Sequence, residues 1–159
     1  SMAPQARQVR VTKRFTFEMA HALRCHDGLC AHIHGHSYVL DVTLRGTPMN
    51  EPGHPKDGMV IDFADLKAIV KRTVIDRYDH ALVLHERDRG SVQAGDPLFG
   101  RTLFTPWQPT CENLLLDCVE RLEAALTVGV VLDTVRLQET ATSWAEWQNA
   151  EPRGGVING

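Results

Sequence analysis

Along the first stretch of the chain, apolar side chains alternate with polar ones. Val9 and Val11, then Phe15, Phe17 and Met19, predict a half-buried strand from Val9 to His21. The phase slips near Lys13, read as a bulge or a change of face. Ser37 to Leu44 alternates again and is rich in β-branched and aromatic types, so His34 to Arg45 is predicted as a second strand. The two pair plausibly as a long antiparallel ribbon. Between them Arg24 to Ile33, with Asp27-Gly28, reads as a loop. Gly46 to Gly58 (GTPMNEPGHPKDG) is dense in turn formers and reads as an exposed connection.

The period then changes. Asp62 is a good N-cap, and Phe63, Leu66, Ile69, Val70, Val74 and Arg77 fall near helical spacing, predicting a helix from Phe63 to Arg77. Leu82-Val83-Leu84 is a brief apolar run. His85 to Gln108 holds glycine, proline and charge with little period, and reads as a long surface loop. Thr110 caps a second helix whose stripe is Leu115, Cys118, Val119, Leu122 and Leu126, with Gly129 as its stop. Val130 to Thr140 and Ser143 to Gln148 read as a hairpin turning near Ala141, before a polar, frayed tail from Asn149. The order predicts a single α+β domain, core about 9–148, with a four-stranded antiparallel sheet and two helices on one face.

Composition changes this picture little. The 159 residues suit one domain, and 43% hydrophobic with 23% charged residues is ordinary for a globular chain. A net charge of -3 with interspersed signs makes no case for nucleic acid or a membrane surface as partner. No apolar run reaches the length of a spanning helix. The N-terminus lacks the apolar core of a secretory signal, Ser1 reads as a cloning remnant ahead of Met2, and a cytoplasmic location is expected. Free thiols are then expected for all four cysteines, Cys111 and Cys118 as core packing on one helix face.

Candidate chemistry concentrates before the second strand. Five of the eight histidines lie between His21 and His36. His34 and His36, two apart in a strand, share a face and can converge on one ion, with His21 at the end of the first strand as a third ligand. Three neutral imidazoles without a fourth protein ligand describe a catalytic zinc site with an open position.

The ordered motifs resemble the 6-pyruvoyl-tetrahydropterin synthase family, and most of all its 6-carboxy-tetrahydropterin synthase members. The matching elements are Phe17-x-x-x-His21, Cys30-x-x-x-His34-Gly35-His36 and Gly58-Met59-Val60-Ile61-Asp62-Phe63-x-x-Leu66-Lys67. Asp79-His80, Pro109-Thr110-x-Glu112-Asn113 and Glu139-Thr140 follow in order. The resemblance implies the tunnelling fold, in which sheets of several subunits close into a β-barrel, and hence a homo-oligomer, typically a hexamer. It implies Zn2+ held by His21, His34 and His36, Cys30 as the catalytic thiol, and Asp79 with His80 as proton-transfer partners, serving a neighbour's site. Glu139 becomes the carboxylate that anchors the pterin. The implied activity is a zinc-dependent lyase acting on 7,8-dihydroneopterin triphosphate, in a route to 7-deazapurines such as queuosine. The pyruvoyl-forming reaction and a non-catalytic zinc or pterin-binding module are the alternatives. The chain departs from the family at Leu84, where relatives often carry asparagine, and in the length of the 85–108 connection.

Overall fold

The computed structural model describes residues 6–150. The readings made for Ser1, Met2 and the tail beyond Ala150 fall outside them. β1 (Val9–His21) and β2 (His34–Gly46) pair antiparallel along their full length, Val9 opposite Gly46 and His21 opposite His34. The register runs unbroken through Lys13, so there is no bulge and no change of face. Lys13 shares the core-facing side, and its ammonium lies 6.0 Å from the ring centroids of both Phe15 and Phe63. A flexible aliphatic stem lets lysine occupy such a position while its charge stays over aromatic faces.

β5 (Val131–Thr140) pairs with the other side of β2, and β6 (Ser143–Gln148) with β5. The hairpin turns at Ala141, as the pattern predicts. The four-strand expectation needs correcting, however. β3 (Ala81–His85) lies parallel to β1, and β4 (Thr102–Thr105) parallel to β3. The sheet therefore has six strands in the order β4-β3-β1-β2-β5-β6. β3 is nearly all buried, so its sequence shows a continuous apolar run with no alternation. β4 has four residues, too few to carry a period. With 3-10 turns at Glu86–Ser91 and Pro97–Phe99, these strands make the 85–108 connection an ordered one. Asp88, buried within it, pairs with Arg24.

Helix α1 (Phe63–Val70) is capped by Asp62, whose carboxylate accepts from Ala64 N–H at 2.8 Å. It runs on through a π turn (Lys71–Ile75) into a last α turn (Asp76–Tyr78). The Thr73 hydroxyl donates to the Ile69 carbonyl at 2.7 Å, a back-bond that competes with the regular ladder where the helix widens. Helix α2 (Cys111–Ala125) starts at Thr110, whose hydroxyl accepts from Asn113 N–H at 3.2 Å. It stops at Ala125, a turn before Gly129, because Leu126 is already extended. Both helices cover one sheet face. Tyr38, Leu40, Val42 and Leu44 of β2 lie under Leu66, Val70, Leu114 and Leu122, all at 0–1% exposure. Each such side chain contributes about 1.5–3 kcal/mol by burial. Phe17 stacks on Tyr38 at 5.1 Å and on Tyr78 at 6.2 Å, tying the ribbon to the end of α1.

β5 carries two irregularities, the second of them at the site. Its pairing with β2 slips at Asp133, and its pairing with β6 slips at Glu139. Asp133 receives Arg10 and Arg45 at 2.8 and 3.1 Å. Glu139 continues the core-facing set Val135, Leu137, and so points toward the open end of the ribbon.

Candidate metal centre and active site

The end of the β1–β2 ribbon presents three imidazoles on its core face. His21 stands opposite His34, and His36 lies opposite Met19, one step along the same side. Their ligand-capable nitrogens lie within 4.8 Å of one another. Two rings are oriented by main chain. His21 Nδ1 lies 2.7 Å from the Pro109 carbonyl and His34 Nδ1 lies 2.6 Å from the His32 carbonyl. A carbonyl only accepts, so both Nδ1 atoms carry a proton, which in the neutral tautomer leaves Nε2 bare and turned inward. Those two Nε2 atoms are 3.1 Å apart.

Two lone pairs at that distance repel unless a cation sits between them. Burial pushes the His21 imidazole toward its neutral form, against the opposing pull of the Pro109 hydrogen bond and the Glu139 charge. Burial does the same to His36. Neutral imidazoles, fixed at Nδ1 and converging through Nε2, are what a divalent zinc ion requires of histidine ligands. The donor set fits the metal.

A carboxylate stands beside the triad. Glu139 Oε1 lies 3.5 Å from His21 Nε2 and 3.7 Å from His36 Nε2. The metal-capable cluster itself is the three imidazoles, with this carboxylate next to it. Tyr38, fully buried, donates its hydroxyl to the same Oε1 at 3.2 Å. Burial first, and the Glu139 charge second, raise the Tyr38 phenol far above its ordinary value, so it acts as a fixed donor. Pattern reading missed Tyr38 as a site residue. Its parity with His34 and His36 was the available signal. The Pro109 and His32 carbonyls left no signal in side-chain chemistry.

The remaining candidates are placed less tightly. Cys30 sits in a 3-10 turn, Leu29–Ala31, half-buried, with its carbonyl accepting from Leu23 N–H at 2.9 Å. That bond closes the loop two residues beyond His21. Cys25 is exposed with a left-handed backbone, φ 70. Cys111 and Cys118 are buried as expected, and burial, with Glu139 next, pushes the Cys111 thiol up to about 11.

Asp79 and His80 follow the last turn of α1 and lead into β3. His80 Nδ1 lies 3.1 Å from Asp79 Oδ1, which also accepts from Glu18 N–H at 2.9 Å. His80 N–H in turn donates to the Glu18 carbonyl at 2.6 Å, holding the residue at φ 62. The Glu18 N–H is the main reason the Asp79 carboxyl titrates below its ordinary range. The His80 ring is 74% exposed. It borders a cleft of about 350 Å³ together with Glu18, Ser37 and the triad's own His36.

Solved structures share this architecture. The chain superposes on an uncharacterised protein of Wolinella succinogenes with TM-score 0.72 at 20% identity, over 89% of this chain and 98% of that one. It also matches the 6-pyruvoyl tetrahydropterin synthase of Caenorhabditis elegans, TM-score 0.66 at 26% identity, over 93% and 100%. Fold and site together define a tunnelling-fold enzyme with a histidine triad suited to a metal.

The family profile described as 6-pyruvoyl tetrahydropterin synthase matches residues 10–150, and the chain belongs to that family. Among its relatives is the 6-carboxy-5,6,7,8-tetrahydropterin synthase of Haemophilus influenzae, 36% identical over 142 residues, 87% of this chain and 98% of the relative. A protein of the same name from Aquifex aeolicus is 34% identical over 128 residues, 75% of each.

Proposed function

We propose that this tetrahydropterin synthase is the 6-carboxy-forming type. It takes 7,8-dihydroneopterin triphosphate and water to 6-carboxytetrahydropterin, acetaldehyde and triphosphate, and acts in the cytoplasm as a homo-oligomer, a hexamer by family analogy. The observation that carries the reading is the meeting of the triad with Glu139 in one recess, in a chain whose relatives bear that name.

His21, His34 and His36 would hold zinc through Nε2. When bound, zinc supplies Lewis acidity toward the hydroxyls of the substrate side chain. Glu139 accepts the adjacent ring N–H and exocyclic amine of the pterin, a paired, charge-assisted contact. A carboxylate has about four acceptor directions, so the Tyr38 bond to Oε1 leaves room for both and fixes the carboxylate plane. Cys30 is the thiol that moves a proton at the side-chain carbon. His80, with Nδ1 turned to Asp79, offers Nε2 for the opposite transfer. By family analogy the pair is assigned to the site of a neighbouring subunit.

Glu139 also supports a second reading, as a fourth metal ligand, because its Oε1 stands 3.5 Å from His21 Nε2. For the product, the pyruvoyl-forming reaction is the rival. The three residues between Cys30 and His34 favour the carboxy type, since pyruvoyl-forming relatives tend to have five. Two residues of loop move a thiol by several ångströms, roughly 3.3 Å per residue when extended. That decides which carbon it reaches. Incubation with dihydroneopterin triphosphate, with acetaldehyde trapped by a coupled dehydrogenase, tests the choice. Acetaldehyde in step with triphosphate is expected. Triphosphate without acetaldehyde, beside a pyruvoyl product, would transfer the assignment to the rival.

A further inference from the structure

We propose that the cleft between the end of α1, β4 and the last turns of α2 binds a polyphosphate anion, at a site separate from the histidine triad. The cleft encloses about 950 Å³ and is lined by Arg72, Arg77, Arg101 and Arg121, against a single carboxylate, Asp76. A chain of net charge -3 thus gathers four cations in one concavity.

The local charge is only partly cancelled from within. Asp76 is taken by Lys71 at 2.7 Å, and Arg121 is paired with Asp117 at 2.7 Å. Arg101 donates to the Asp79 carbonyl at 2.8 Å, and its charge acts on the Asp79 carboxyl from a distance. Arg72 and Arg77 have no acidic partner among the described residues. Arg77 Nε is moreover buried with no hydrogen-bond partner, while the guanidinium lies 5.4 Å from the Tyr78 ring centroid. Buried donors are rarely left unmet, and this one belongs to a side chain on the cleft wall.

Backbone geometry points the same way. The π turn Lys71–Ile75 widens the helix at the cleft and carries Arg72 and Thr73 to its wall. Such turns recur at functional sites. Guanidinium forks match phosphate oxygens two at a time, and several forks spread over a large cavity suit a chain of phosphates better than one. Leu103 and Ala125 supply an apolar wall, so inorganic triphosphate and a nucleoside triphosphate both fit the chemistry. The site lies at the far end of α2 from Pro109, whose carbonyl holds His21. Cys111 to Arg121 is roughly 15 Å along the axis at the usual helical rise.

The test is calorimetric titration of the zinc-loaded full chain at low salt, with inorganic triphosphate and with ATP in separate runs. Saturable binding of at least one anion is expected, falling steeply with added chloride. Arg72→Glu, an exposed position, should weaken it at least tenfold. Arg77→Ala should do the same, with its melting temperature confirming the fold. Arg14→Ala, which removes an arginine paired with Asp41 elsewhere on the sheet, should leave binding unchanged. Binding by inorganic triphosphate alone would identify the free anion as ligand, and binding by ATP would identify a nucleotide. Affinity equal in wild type and Arg72→Glu would assign the anion to another site and overturn the proposal. So would no binding, or equal displacement by sulfate at matched ionic strength.

Discussion

Glu139 is the residue on which the chemistry turns. Spacing alone makes a glutamate in a strand an exposed charge, yet it follows Val135 and Leu137 on the core-facing parity and meets Tyr38 and the imidazoles. Glu139→Gln keeps the shape and turns one acceptor into a donor. If it anchors the pterin, substrate affinity should fall by one to two orders of magnitude, from the ~1.5–3 kcal/mol of a charge-assisted bond, with zinc content unchanged. Loss of zinc in that variant would make it a metal ligand instead. Of the two accessible thiols, Cys30→Ala is expected to abolish turnover with zinc retained, and Cys25→Ala to keep most activity. The reverse pattern would show that the wrong cysteine is named. His80 is a non-glycine residue at φ 62, strain of the sort kept where function needs it. Both His80→Ala and His80→Gly should be inactive, yet urea melts should find the glycine variant more stable than the alanine one by about 1 kcal/mol. Equal midpoints would mean the turn holds no strain.

At the scale of elements, the ribbon and both helices were legible because their apolar periods are long and clean. β3 and β4 were not, since a short buried strand has no alternation and a four-residue strand has no period. The π turn was equally invisible, because Thr73 reads as an ordinary helical residue until its hydroxyl is seen on the Ile69 carbonyl. The histidine triad could be read from its i, i+2 spacing. What the spacing could not carry was the pair of carbonyls that choose the tautomers. One of these, Pro109, lies just before the cap of α2, which links the helix to the metal. Thr110→Ala should cost about 1 kcal/mol of stability through the lost cap. It should also weaken zinc binding measurably, since Pro109 would no longer be held against His21 Nδ1. A chelator competition series alongside thermal melts would separate the two effects, and a melt that drops with unchanged zinc affinity would break the link.

At the scale of the molecule, a six-stranded sheet covered on one face carries the triad at the end of the β1–β2 ribbon and the Asp79–His80 pair just before β3, and His36 and His80 border one cleft. The motifs named both groups, and the assignment of the pair to a neighbouring subunit follows the family resemblance. Everything else in the account depends on one metal at the three Nε2 atoms. The most direct measurement is zinc per chain in purified wild type and in His34→Ala and His36→Ala. About one zinc per chain in the wild type, and its loss in both variants with the fold retained by circular dichroism, is the predicted result. Full zinc occupancy in either variant would contradict it.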